Sequence, residues 1–212
     1  NAPGTRPAPG PVSSSMPQPL QQVRFDQKLD ARLPLDARFK DEQGNAVALG
    51  DYFGRRPVVL AFVYYECPML CNQILNGLVS GVNVLDETVG TDFDVVAVSF
   101  DARETPVQAA AKKATYVDQY KRPGAERGWH FLTGDEASIK RVTDAAGFQF
   151  AWDAATQQFA HASGVIVATP DGRLARYLFG IEYPPRDLKF ALMESSAGRI
   201  GSVVDQVLLY CY

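Results

Sequence analysis

The sequence predicts an α/β fold with a mixed central sheet. Three observations carry this. Near-continuous apolar runs such as Val58–Tyr65 and Val95–Val98 read as strands buried on both faces. Segments with apolar residues every three or four positions alternate with them. A strand pair and a last helix then close the chain. With 212 residues, 46% hydrophobic and 21% charged, one domain with a sizeable core is expected over 21–212.

In order along the chain, residues 1–20 are rich in Pro, Ser, Ala and Gly and read as a flexible arm or tether. Phe39–Val47 reads as a small hairpin turning at Gly44-Asn45, followed by a loop or short turn at Leu49–Gly54. After the strand Val58–Tyr65, helical spacing takes over near Pro68, through Leu75, Leu78, Val79, Val82 and Leu85, with Gly90 as its stop. Asp94–Phe100 is the next strand. Thr105-Pro106 caps and opens a helix running to about Tyr120. Trp129–Thr133 reads as a short strand and Glu136–Ala146 as a helix stopped by Gly147. Ser163–Ala168 and Leu174–Leu178 are strands joined by the turn Thr169-Pro170-Asp171-Gly172, and Pro184 to about Ser195 is a helix.

The chemistry concentrates in Cys67-Pro68-Met69-Leu70-Cys71, where a buried strand meets a helix. Two thiols there, in such an α/β order, point to a thioredoxin-like fold, which sets such residues at a helix N-terminus where the dipole favours thiolate. The spacing puts Cys67 and Cys71 at i and i+4, so helical geometry would place them on one face. Such a pair can form a structural disulfide, exchange disulfides with a partner, or hold a soft metal. A disulfide closing so short a loop constrains the unfolded chain little, and exchange sites generally use a two-residue spacer. Thiolate selects Cu(I) and imidazole suits copper in either oxidation state, so a Cys-Cys-His set would permit a copper site; His161 is a distant candidate for the imidazole, although a lone histidine is more often surface or core filler. Zn(II) with a fourth ligand is the competing metal.

Several neighbours bear on that site. Asp101 ends a strand at the sheet edge where function gathers, a place from which to orient His161, tune the charge or meet a partner; a turn acid before the next helix accounts for it equally. Glu66 is a surface acid that would raise a neighbouring thiol pKa. Met69 offers a thioether, although packing or exposure accounts for it better than ligation. Pro68 restrains the loop, Tyr64 and Tyr65 are wall and core residues, and His130 is structural or exposed. Cys211 belongs to an apolar terminal segment.

Composition excludes other classes. A net charge of -3 argues against nucleic-acid binding. No apolar run reaches the ~20 residues that span a bilayer. Residue 1 is Asn, so the sequence reads as a processed product whose export signal or anchor would lie upstream. A peroxiredoxin-type nucleophile wants Thr three residues before its Cys, and Tyr64 stands there.

From about Leu33 to Met193 the chain resembles the Sco (SenC-type) family of copper-binding proteins. The resemblance runs through Phe39–Val47, Leu49–Gly54, Val59–Cys71, the stretch Val98-Ser99-Phe100-Asp101-Ala102-Arg103-Glu104-Thr105-Pro106, then Trp129–Gly134 and His161-Ala162-Ser163-Gly164. It implies one copper ion per chain, Cu(I) or Cu(II), held by Cys67, Cys71 and His161 in an accessible site. It implies delivery of that ion to the binuclear copper site of cytochrome c oxidase, or thiol reduction in its support through Cys67 and Cys71 as redox-active thiols. The protein is then a metallochaperone rather than a turnover enzyme, the alternative being a thiol-disulfide oxidoreductase that carries no metal. The partners implied are a copper-receiving oxidase subunit or another copper chaperone, at an exported, periplasmic or membrane-anchored location. One departure stands out: the family usually has Pro after the second Cys, and here it is Asn72.

Overall fold

The strand runs seen in the sequence become the middle of a five-stranded sheet. The structure, a computed structural model, describes residues 21–67 and 70–203, the side chains of Leu70 and Cys71 excepted. The sequence-based readings of the 1–20 arm, Pro68, Met69 and Cys211 therefore lie outside the described residues. Strand β1 is Arg24–Phe25; β2, Arg38–Lys40, and β3, Ala46–Ala48, form the expected N-terminal hairpin. The turn at Gly44 has φ +86°, a conformation glycine adopts without steric cost. A short 3-10 turn, Leu49–Tyr52, follows.

Strands β4 (Val58–Val63), β5 (Asp94–Ser99) and β6 (Trp129–Leu132) run parallel. Parallel strands need crossovers, and helices α1 (Leu70–Asn83) and α2 (Pro106–Tyr120) supply them. Helix α3 is Glu136–Ala145. Short strands β7 (Phe148–Gln149), β8 (Ala151–Asp153) and β9 (Gln158–Ala160) lead into β10 (Gly164–Ala168) and β11 (Leu174–Phe179), before α4 (Pro185–Ser196). The sheet order is β11-β10-β4-β5-β6, with β10 antiparallel to both neighbours. Every residue of β4, β5 and β10 is buried, as their apolar runs require. This is the mixed sheet of a thioredoxin-like fold, flanked by helices.

Two local readings differ from the structure. Helix α1 ends at Asn83 rather than near Gly90. The Arg122 guanidinium donates to the Asn83 carbonyl, one of the acceptors that a helix C-terminus leaves open, and to the carbonyls of Leu85 and Glu87 just beyond it. The strands β1 and β7, which pair with each other, and the β8–β9 hairpin are too short to show periodicity.

The β2–β3 hairpin is stitched to the far edge of the sheet. Lys40 and Thr133 exchange backbone hydrogen bonds at 2.7 and 3.0 Å, and buried Glu42 pairs with Lys113. Under this cover His130 meets the Tyr52 ring at 4.5 Å between centroids, a structural role. Burial foremost, with the Lys113 charge, pushes its imidazole down to about 4, against a pull upward from Glu42. In the unfolded chain the ring titrates near ~6.5, so between these values the unfolded state binds the extra proton. Stability from His130 is thus complete above ~6.5 and is lost as pH falls toward about 4, an effect of about 2 kcal/mol for a half-buried ring. Burial raises the Asp94 and Glu104 carboxyls, which titrate with the opposite sign. The test therefore compares urea unfolding of wild type and His130→Gln at pH 7 and 4.5. The wild-type advantage should shrink by that amount at the lower pH, and a constant difference would refute the assignment.

Candidate functional site

Strand pairing assembles the site. Because β10 runs antiparallel to β4, with Val165 opposite Ala61, the chain enters β10 where β4 ends. His161–Ser163, just before β10, therefore lies at the edge from which Tyr64–Cys67 leaves β4. Strand β5 ends at the same edge: Ser99 sits opposite Val63, and Phe100 N–H donates to Val63 O at 2.9 Å. Phe100 and Asp101 thus join the imidazole and the first thiol. These are the carboxyl ends of the parallel strands, the usual place for function in open α/β sheets.

The His161 ring packs against Phe100, Tyr64 and Phe148, with centroids 5.1, 6.1 and 6.2 Å away. Its Nδ1 lies 2.9 Å from the Ala162 carbonyl oxygen. That oxygen can only accept, so Nδ1 carries the hydrogen and Nε2 of the neutral ring carries the lone pair a metal would use. Orientation of this kind, by a backbone carbonyl on the other ring nitrogen, is common to metal-binding histidines.

Where the sequence leads to an accessible site, the two described members of the set are buried: Cys67 is 3% exposed and His161 fully buried. The cover is aromatic: Tyr64, Phe100 and Phe148 surround the imidazole, and Cys67 is part of the hydrophobic core. A recess of ≈ 460 Å³ bounded by Tyr64, Glu66, Asp101, Arg103, Glu104 and Trp152 opens beside this edge. Helix α1 begins at Leu70, which places Cys71 in its first turn, where the dipole favours an anionic sulfur. The Cys71 side chain lies outside the described residues. Among the described residues, no three His, Cys, Asp or Glu side chains gather as a metal cage.

The carboxylate of Asp101 is taken by Arg103, whose Nε and Nη2 donate at 2.8 and 2.7 Å. Asp101 thus sits at the expected sheet edge with a guanidinium as its partner. Asn72, standing where the family usually has Pro, donates from its side-chain amide to the Cys67 carbonyl at 3.3 Å and accepts from Lys112 Nζ at 2.5 Å. It ties the thiol-bearing loop to α2, which a proline cannot do.

Glu104 stands in the sequence reading only within the stretch that carries the family resemblance, with no role of its own. It is 8% exposed, and its carboxylate accepts from Tyr65 N–H and Glu66 N–H, both at 2.8 Å, and from Ser99 Oγ at 2.6 Å. Burial raises its carboxyl and these three donors pull it back down. Next to it, Arg103 stacks over Trp152 at 4.5 Å and Phe159 at 5.5 Å. Both residues stand just before the helix cap at Thr105, where local pattern marks polar residues as turn or cap chemistry, so no local signal shows their long-range partners.

The SCO1/SenC family model matches residues 27–192. This chain belongs to the SCO1/SenC family. Among solved structures, it is similar to an Aquifex aeolicus protein described as a candidate for electron transfer. The two share 24% identity over 80% of this chain and 95% of that one, with a TM-score of 0.71. A SCO1/SenC family lipoprotein from Bacillus anthracis is 17% identical over 81% and 99%, with a TM-score of 0.64. Arabidopsis thaliana ScoI with copper bound is 19% identical over 76% and 96%, with a TM-score of 0.60. No curated protein matches the chain by sequence. At these identities the structures establish a shared fold, and the family match covers the segment that holds Cys67, Cys71 and His161.

Proposed function

We propose that this SCO1/SenC chain is a copper metallochaperone that takes one copper ion on Cys67, Cys71 and His161. Its receiver is the binuclear copper site of cytochrome c oxidase, reached through an oxidase subunit or another copper chaperone. The observation that carries the reading is the antiparallel β4–β10 register, which sets an imidazole with a defined Nε2 lone pair at the edge where the Cys67 loop begins. Two thiolates and an imidazole suit Cu(I) in a trigonal set and accommodate Cu(II) with an added ligand. Low polarity around the site favours the soft, low-charge ion. The copper-bound plant relative supports the choice of metal. The lipoprotein relative supports an exported, membrane-tethered location, and no helix among the described residues is long and apolar enough to cross a membrane.

The placement of Cys71 in the first turn of α1 favours a second reading, thiol-disulfide exchange with partner cysteines, since that position activates a thiol. Anaerobic copper titration of the reduced protein separates the two. The metallochaperone takes up one equivalent, shows a sulfur-to-copper charge-transfer band with Cu(II), and loses both on Cys67→Ser. Fast exchange with a disulfide peptide, without stoichiometric copper uptake, would replace it by the redox reading.

A further inference from the structure

We propose that the segment between β5 and α2 is a two-sided brace that pre-positions the two halves of the copper site. Glu104 holds the approach to Cys67, and Arg103 holds the hairpin that delivers His161. The assignment of the halves rests on the copper-binding reading; the brace itself rests on contacts among this chain's own residues.

Strand β4 loses its sheet partners at Val63, and four residues later the chain must present a thiol. Consecutive N–H groups of an extended strand point to opposite sides, so one acceptor cannot serve both. Here the two oxygens of the Glu104 carboxylate take the N–H groups of Tyr65 and Glu66, so the backbone is held in a turn at that point. Ser99, the last residue of β5, donates its hydroxyl to the same carboxylate and receives the Asp101 N–H, so the clamp is anchored to the sheet. Buried charge-assisted bonds of this kind are stronger than neutral ones.

On the other side, Trp152 and Phe159 face each other across the β8–β9 hairpin, with ring centroids 4.9 Å apart. The Arg103 guanidinium lies over both rings while its nitrogens hold the Asp101 carboxylate at the end of β5. Two residues beyond Phe159 the chain reaches His161. Successive residues of one short segment thus grip both chain portions that converge on the metal. Their bonds run to backbone N–H groups, to Ser99 and Asp101 and to the hairpin's rings, and they are positioning residues.

The test uses Glu104→Gln and Arg103→Gln, with Arg103→Lys as the conservative partner. In the metal-free protein, Glu104→Gln should speed amide exchange at Tyr65 and Glu66 by ~10-fold or more, because the amide turns a donor toward an N–H donor. Arg103→Gln should shift the His161 ring resonances and leave those two amides alone. With copper, Glu104→Gln should move the sulfur-to-copper band, and Arg103→Gln the nitrogen coupling in the Cu(II) spin-resonance spectrum. Each should hasten copper loss to a chelator by ~10–100-fold, the usual cost of removing support behind a ligand. Arg103→Lys keeps charge without the flat stacking face, and should recover part of the loss. If Glu104→Gln does not fold, Ser99→Ala deletes one donor to the same carboxylate and should produce a smaller change at the same amides. Folded variants with wild-type exchange at Tyr65 and Glu66 and wild-type His161 resonances would overturn the brace. If the wild type takes up no copper, the metallochaperone reading fails, and the metal-free measurements alone support or overturn the brace.

Discussion

Replacing His161 with alanine is expected to lower Cu(II) affinity by more than ~100-fold, because losing even the groups behind a ligand costs ~10–100-fold. The loss should fall mainly on Cu(II). Two thiolates remain a good soft donor pair for Cu(I), whereas Cu(II) depends on the harder nitrogen. The affected atom is Nε2, since Nδ1 is committed to the Ala162 carbonyl. Truncation also empties a space enclosed by Tyr64, Phe100 and Phe148, which should cost about 2–3 kcal/mol of stability. Urea unfolding measures that cost, and parallel Cu(I) and Cu(II) competition titrations measure the ligand effect. An unchanged Cu(II) spectrum and affinity in the folded variant would remove His161 from the ligand set.

A second large effect is expected at Gly77, on the face of α1 packed against the segment after β11. A Cβ there would stand 1.8 Å from the Ile181 carbonyl oxygen and 2.9 Å from its carbon. These are backbone atoms, which cannot swing aside as a side-chain tip can. One turn later Gly81 is also close-packed, though less tightly, with Leu188 Cδ1 at 2.6 Å and Tyr183 O at 2.7 Å. In a solvent-exposed helix, Gly→Ala stabilises by about 1 kcal/mol. Here the sign should reverse, because the whole helix must move to admit the methyl group, at a cost of about 3 kcal/mol or more. For a chain of this size that is a fall in melting temperature of roughly 6–12 °C. The same helix carries Cys71 in its first turn, so the sulfur-to-copper band should shift as well. A melting temperature at or above wild type would show that α1 and residues 181–183 are not in the contact described.

The ease of reading differed by element. Strands β4 and β5 announced themselves because burial on both faces leaves an uninterrupted apolar run. Helix α2 was marked by Thr105 and Pro106, and the Gln108 side chain indeed reaches back to the Thr105 N–H at 2.6 Å. The β8–β9 hairpin was illegible, since three residues a side cannot display a period. Asn72 was visible as a departure from the family, but its bond to Lys112 is decided by how α1 lies against α2. The expected openness of the site was a reading from function. Burial of Cys67 and His161 follows from aromatic residues drawn from β4, β5 and β7 and their flanks, whose meeting no local pattern reports.

By itself the sequence determined the order of the central-sheet strands and the long helices, the thiol pair at a strand-to-helix junction and the family to which the chain belongs. These are written in local periodicity, caps and motif order, where interacting residues are near neighbours along the chain. Tertiary structure alone decided that His161 stands at the end of β4, which nitrogen it offers, and that Arg103 and Glu104 reach opposite sides of that edge. Each of these depends on β10 entering the sheet antiparallel beside β4, a pairing between distant segments fixed by the packing of the whole core.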